Sequence, residues 1–283
     1  NELKVEKIIF GSESNNIELL KRIVNIQLND TNYEENVKKY LDLGDNYPTA
    51  MKKALNIDED INNPNDLLGI SYIKAIQKIN TNMKAETIQR TNSYHDIEST
   101  DNIVSATNIR TRLTNEESID NYLPKDVIPY LNNVSNDNLF NLLKFKILTD
   151  NDLSKYLDVD EGIEYRILKF INQSKTLEEL ITNIKTKRYT YNKINRMLIH
   201  ILLGIKKSDN NGDIYLRVLG FNDNGRKHLN KIKKEIDLPI YIGYKKNLSK
   251  VFDIEYKSTY IYSLLVNDNS LILNEYKNKP IIK

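Results

Sequence analysis

Residues 102–113 read NIVSATNIRTRL. Ile103 and Val104 form a strand-like pair, Ser105 and Thr107 follow with their hydroxyls, and Arg110 closes the group after Asn108 and Ile109. A helix that starts here presents unpaired backbone N–H groups and the positive end of its dipole, and both favour an anion. Ser105 or Thr107 suits the capping position of such a terminus and also offers a hydroxyl to a phosphate. Arg110 in the first turn adds a charge suited to bidentate phosphate contact. Two readings stand side by side. One is a capped amphipathic helix that buries Ile109 and Leu113; the other is half of a phosphate clamp in a nucleotide-binding α/β fold.

Upstream, the chain supplies the elements such a fold needs. Val5, Ile8, Ile9 and Phe10 form an apolar run closed by Gly11-Ser12-Glu13-Ser14, which reads as a strand followed by a loop. Ile17, Leu20, Val24 and Leu28 recur at helical spacing. ENVKKYLDLG predicts a second helix stopped by Gly44, and Pro48 suits the first turn of a third that ends near Asn56. Residues 62–80 predict a turn and then a helix with Ile70, Ile73 and Ile76 inward and Leu67 near its start. MKAETIQR reads as a second strand, and SYHDIESTDN as a polar loop leading into the opening segment. Strands alternating with helices predict an α/β fold with a parallel sheet.

Beyond about residue 125 the pattern becomes mainly helical, at 136–149, 160–173, 176–186 and 190–206. A small mixed part follows, with IYLRVLGF as a strand, NGRKHLNKIKKEI as an exposed helix and LPIYIG as a strand. The tail, 251–283, fits neither pattern cleanly. The expected organisation is therefore residues 1–125 as the α/β domain and 126–283 as a mainly helical domain.

Composition narrows the chemistry. With 283 residues, 40% of them hydrophobic and 28% charged, the chain is long and apolar enough for real cores. It has no cysteine, which excludes disulfides and thiolate metal sites. His95, His200 and His228 share no metal-ligand spacing, so no metal site is expected. The net charge of +2 directs the search for a polyanion partner to local clusters. No apolar run approaches the roughly 20 residues that span a bilayer, and no basic-then-apolar leader is present. A cytoplasmic protein without membrane association is expected.

VSATNIR resembles the second signature of the HxGH-type nucleotidylyltransferases, I-S-S-T-x-I-R, at Ser105, Thr107, Ile109 and Arg110; Val104 and Ala106 depart from it. FGSE at 10–13, PNDLLGISY at 64–72, QRTNSYHD at 89–96 and SATNIR at 105–110 occur in the order found in the bacterial tRNA(Met) cytidine acetate ligase family. EGIEYRI at 161–167, KTKRYTYNKINRMLIHILL at 185–203 and YLRVLGF at 215–221 carry the resemblance over most of the chain. It implies a partial Rossmann-like nucleotidyltransferase domain and a ligase that activates acetate with ATP and Mg2+ as acetyl-adenylate. The acetyl group then passes to the wobble cytidine of elongator tRNA(Met), giving N4-acetylcytidine. Carried over by motif, Gly11 lies against the nucleotide, Asn65 contacts it, and Arg90 and Thr91 flank the adenosine or phosphates. Ser105, Thr107 and Arg110 hold the phosphates. From the residues alone, Gly11 also reads as a plain strand-to-helix turn and Asn65 as an Asx turn or helix cap.

The family's H-x-G-H, which neutralises charge developing on the phosphates, is absent. His95 in Y-H-D has no second histidine nearby and reads as a loop residue bonded to Asp96. The chain begins NELKVEKIIF, without an initiator methionine. It is expected to be the C-terminal larger part of a longer enzyme, with no catalytic residue of its own and no turnover.

Residues 185–207 carry Lys185, Lys187, Arg188, Lys193, Arg196, Lys206 and Lys207 without one acid, and Tyr189 and Tyr191 stand among them. Cations supply affinity for phosphates, and rings stack on unpaired bases. This stretch is the candidate tRNA-binding surface; a solvated basic helix face is the plainer reading. Two other functions fit part of the sequence: an adenylyltransferase for a small metabolite, and a non-catalytic RNA-binding module on a decayed nucleotide fold.

Overall fold

The computed structural model describes residues 2–59, 63–79, 82–90, 103–131, 134–245, 248–277 and 279–283. They form two compact units, 3–133 and 134–283.

In the first unit, β1 (Lys7–Ser12) is followed by α1 (Ile17–Asn29), α2 (Tyr33–Asp42), α3 (Tyr47–Leu55) and α4 (Pro64–Ile79). The chain then returns as β2 (Lys84–Gln89) and continues into α5 (Ala106–Thr114). β1 and β2 pair in parallel from Lys7 opposite Lys84 to Ser12 opposite Gln89. Helix starts are set by polar caps: Asn16 Oδ1 accepts from Leu19 N–H at 3.0 Å and Asn46 Oδ1 from Thr49 N–H at 3.1 Å. Leu20, Ile23 and Val24 of α1 bury themselves among Tyr33, Ala50, Leu55, Ile70 and Ile73. Pairing with β2 draws Gly11 and Ser12 into β1, so the strand ends two residues later than its apolar run.

Other details differ from expectation. Leu67 is exposed and its neighbour Asp66 is buried, so the polar residue, not the apolar one, turns inward at the start of α4. Ile103 and Val104 form no strand, and Ile103 is exposed. Ile109 and Leu113 are only half-buried, while the polar Asn108 just before them is fully buried.

In the second unit, α6 (Asn136–Thr149), α7 (Ile163–Phe170), α8 (Leu177–Ile184) and α9 (Tyr191–Leu203) enclose one apolar core. Leu143, Ile147, Ile167, Leu180, Ile194, Met197 and Ile201 are almost wholly buried there. α7 starts later than its sequence pattern because Glu161 and Gly162 adopt left-handed backbone, φ +57° and +78°, which an α-helix excludes. α9 stops at Gly204, whose φ of +74° makes the left-handed cap that glycine adopts without strain.

The stretch IYLRVLGF is not one strand. It divides into β3 (Leu216–Arg217) and β4 (Gly220–Phe221), with α10 (Asp223–Ile232) after them. β3 pairs in parallel with β5 (Ile240–Tyr241), and β4 with β6 (Ile281–Ile282), so each half serves a different partner. Most of the tail is helical, as α11 (Lys250–Val266) and α12 (Ser270–Lys277). The molecule is thus an α/β unit with a parallel sheet, followed by a mainly helical unit with a small mixed part.

Candidate functional site

Parallel pairing brings the carboxyl ends of β1 and β2 together, and Arg90 N–H donates to Ser12 O at 3.0 Å just beyond them. In α/β folds ligands bind at this end of the strands. A cavity of about 560 Å3 lies here, lined by Gly11, Asn65, Arg90, Ser105 and Thr107 together with Ile88, Ile103 and Val104. Five residues separated by up to 96 positions thus share one space. Thr91 and His95 lie outside the described residues.

The first turn of α5 faces this cavity through Ala106 and Thr107. Ser105 is the N-cap: its buried Oγ accepts from Asn108 N–H at 3.1 Å. Its hydroxyl therefore shapes the terminus, while the backbone N–H groups of the first turn are what the helix offers an anion. Arg110 is exposed on α5 and is not among the lining residues. The arginine drawn inward is Arg112, whose Nε donates to Asn108 Oδ1 at 2.8 Å and whose guanidinium lies over the Tyr122 ring.

Behind Asn65 and Arg90, outside the lining itself, Ser12, Glu13 and Asp66 form a polar knot. Asp66 accepts from Ser12 Oγ and from Ser14 N–H at 3.1 Å. Glu13 accepts from Asn65 Nδ2 at 2.6 Å and from Asp66 N–H at 3.2 Å, and its carboxylate lies 3.7 Å from Arg90 Nε. Asn65 is therefore bound to Glu13 rather than capping its own helix. FGSE and PND contained these residues in plain view. The sequence assigned Glu13 and Asp66 no role, because partners some 50 positions away are invisible in it.

Gly11 and Gly69 have different reasons to be glycine. A Cβ at Gly11 would lie 3.4 Å from Arg90 Cγ, an ordinary contact, so the fold itself tolerates a side chain there and the cavity is what it would narrow. A Cβ at Gly69 would collide with the Phe10 ring, at 2.7 Å from Cζ and closer to Cε2. Phe10 packs on α4 over Gly69, its ring edge-on to Tyr72 of the same helix with centroids 5.6 Å apart.

The basic run of the second unit is acid-free only along the chain. Residues 158–161 bring acids to it: Arg196 Nε donates to Asp158 Oδ2 at 2.8 Å, Arg188 pairs with Glu161 at 3.0 Å and Lys207 with Asp160 at 2.8 Å. His200 Nδ1 sits 3.3 Å from the same Asp158 oxygen. Lys193 lies over the Tyr189 ring at 4.3 Å, and Lys185 and Lys187 are exposed where α8 ends. Tyr189 is part of the core and donates to Asp160 O at 2.6 Å, so it offers no face to a base. Burial, followed by the nearby Glu161 and Asp160 charges, pushes its phenol up to about 12. Tyr191 remains exposed. Arg196 is 60% exposed and Arg188 51%, so their ion pairs contribute about 0–1 kcal/mol each and exchange readily.

Residues 1–277 match the family model described as HIGH Nucleotidyl Transferase. A tRNA(Met) cytidine acetate ligase of Clostridium novyi is 35% identical over 98% of this chain and 76% of its own length. The enzyme of that name from Staphylococcus aureus is 32% identical over 97% of this chain and 76% of its own. The chain belongs to the tRNA(Met) cytidine acetate ligase family. The crystal structure of Thermotoga maritima TmcAL bound with alpha-thio ATP superposes with a TM-score of 0.84 at 27% identity, covering 99% of this chain and 77% of that one. Its apo form gives 0.85 at 26%. Membership of the tRNA(Met) cytidine acetate ligase family thus accords with both the sequence motifs and the fold.

Proposed function

We propose that the chain serves ATP-dependent ligation of acetate to the wobble cytidine of elongator tRNA(Met), forming N4-acetylcytidine. The observation that carries this reading is the convergence of Gly11, Asn65, Arg90, Ser105 and Thr107 on one cavity at the strand ends. Family membership and the ATP analogue bound by the Thermotoga relative support it. Residues 1–125 supply the nucleotide site and 126–283 the tRNA contacts.

In the reaction, an acetate oxygen attacks the α-phosphorus of ATP and pyrophosphate leaves, giving acetyl-adenylate. The cytidine N4 then attacks the acetyl carbon, AMP departs and the amine loses a proton. The first step builds negative charge on the phosphate oxygens, and preorganised donors lower its barrier. Here the first-turn N–H groups of α5 and Thr107 hold the phosphates, and Arg90 and Thr91 flank them or the adenosine. Gly11 admits the nucleotide to van der Waals contact with backbone.

Mg2+ fits this site poorly as a protein-bound ion. Among the described residues no group of three or more His, Asp or Glu is placed to hold a metal. Glu13 and Asp66 are already committed to Asn65, Ser12 and backbone N–H groups.

None of the three histidines stands in H-x-G-H spacing, so the 283 residues bind ATP without consuming it. Lys185, Lys187, Arg188, Lys193 and Arg196 meet tRNA phosphates, Arg188 and Arg196 by exchanging their pairs with Glu161 and Asp158. Cytoplasm is the compartment that suits a tRNA substrate, and among the described residues no helix is long and apolar enough to cross a membrane. The test is twofold. ATP is titrated into the chain by calorimetry, and a chimaera supplying an H-x-G-H segment is assayed with ATP, acetate and elongator tRNA(Met) for N4-acetylcytidine by mass spectrometry. ATP binding by the chain and acetylation by the chimaera are expected. A chimaera that consumes ATP with acetate yet never acetylates tRNA sinks the proposal.

A further inference from the structure

We infer that Glu13 is a positioning residue for the nucleotide, one that turns Asn65 so that it shows its carbonyl oxygen to the ligand and steadies Arg90 beside it. The inference rests on the reading of the cavity as the ATP site.

The chemistry follows from what each group is able to donate. An ionised carboxylate only accepts hydrogen bonds, so the group of Asn65 that lies 2.6 Å from Glu13 Oε1 is its NH2. The amide orientation, usually ambiguous between oxygen and nitrogen, is thereby fixed by its partner. Asn65 Oδ1 is left as the second polar atom of a side chain that lines the cavity, and among the described residues it has no protein partner. Asn65 thus meets the nucleotide as an acceptor and selects a donor there.

The same Glu13 oxygen lies 3.7 Å from Arg90 Nε, a buried nitrogen without a hydrogen-bond partner. Its charge holds the inner end of the guanidinium while the outer end remains for the ligand. The other oxygen, Oε2, accepts from Asp66 N–H at 3.2 Å, a first-turn donor of α4. That bond satisfies a helix-terminal donor and pins the carboxylate at both oxygens. With one helix N-terminus occupied by Glu13 and Asp66, the α5 terminus is where an anionic phosphate meets less negative charge. Glu13 is itself mostly buried and touches cavity residues rather than standing among those that line it, which is why its action is indirect.

A reciprocal exchange tests this, with ATP affinity read by calorimetry and folding by thermal melting. Glu13→Ala releases both neighbours and should weaken ATP by about tenfold. Asn65→Asp places two carboxylates in hydrogen-bond contact and should weaken it further. Glu13→Gln combined with Asn65→Asp restores a donor–acceptor pair with an oxygen still facing the ligand, and should recover most of the affinity lost in Asn65→Asp. A purely structural role for Glu13 predicts lowered melting temperatures with ATP affinity unchanged in the folded fraction, and that result overturns the inference. So does a double variant that binds no better than Asn65→Asp, a comparison that holds even where Glu13→Ala fails to fold. Failure of the unaltered chain to bind ATP overturns instead the reading of the cavity.

Discussion

Gly69 shows how a single residue carries a constraint that its motif conceals. Within PNDLLG it resembles a helix flaw, since glycine in a helix interior is less favourable than alanine by about 1 kcal/mol. Its absent side chain is the space the Phe10 ring occupies. Gly69→Ala should therefore destabilise the unit by about 1–2 kcal/mol in urea unfolding, overpacking outweighing the gain in propensity. Stabilisation would show that the ring moves aside freely. Tyr189 makes the complementary point. Among seven cations it reads as an RNA-stacking ring, yet it is a core residue whose hydroxyl meets Asp160 O. Tyr189→Phe should cost about 1 kcal/mol of stability and leave RNA affinity unchanged. Loss of RNA binding without loss of stability would restore the ring to the interface.

At the scale of elements, the Ser105 cap and the Gly44 stop were readable because they act over three or four residues, whereas the helix expected over 190–206 is cut short at Gly204. Ser105, Thr176 and Thr190 each accept from the N–H three positions on, and Gly204 ends α9. Ser105→Ala should lower stability by about 1 kcal/mol and also weaken ATP binding, because the α5 terminus that faces the cavity loses its cap. Unchanged ATP affinity would separate the helix terminus from the ligand. What remained hidden were elements whose ends depend on a remote partner. β1 runs on through Gly11 and Ser12 because Gln89 and Ile88 pair with them. IYLRVLGF divides because its halves join β5 and β6, and apolar alternation carries no record of which strand lies alongside.

The two whole-molecule charge arrangements also differ in how they can be tested. Asp150 is buried at the end of α6, where Lys155 and Lys146 approach at 2.5 and 2.9 Å and the Tyr156 hydroxyl donates to it. Burial alone would raise its carboxyl, but these donors outweigh it and hold the group well below the ordinary range. A depressed carboxylate contributes stability that is complete above its unfolded value, near 3.9, and is lost as pH falls below that value toward the folded one. Asp150→Asn should lower stability at pH 7 by about 1–3 kcal/mol and flatten the loss between about pH 5 and pH 2. An unaltered acid profile in denaturant melts would assign that loss to other carboxylates. On the basic face, charge reversal at both Arg188 and Arg196 should weaken elongator tRNA(Met) binding and reduce the slope of log K against log salt by about 1 to 2. A slope unchanged by both reversals would move the RNA contact elsewhere.

By itself the sequence determined the alternation of strands and helices, the caps, the nucleotide motifs and their order. These are local patterns or short-range chemistry, so the chain states them without its fold. Only the tertiary structure decided that Glu13 holds Asn65 and Arg90, that Arg110 stands outside the cavity lining, and that an acid-free run meets Asp158, Asp160 and Glu161. Hydrogen bonds and Coulomb forces act across distances in space, and partners 27 to 77 positions apart along the chain become neighbours only when it folds.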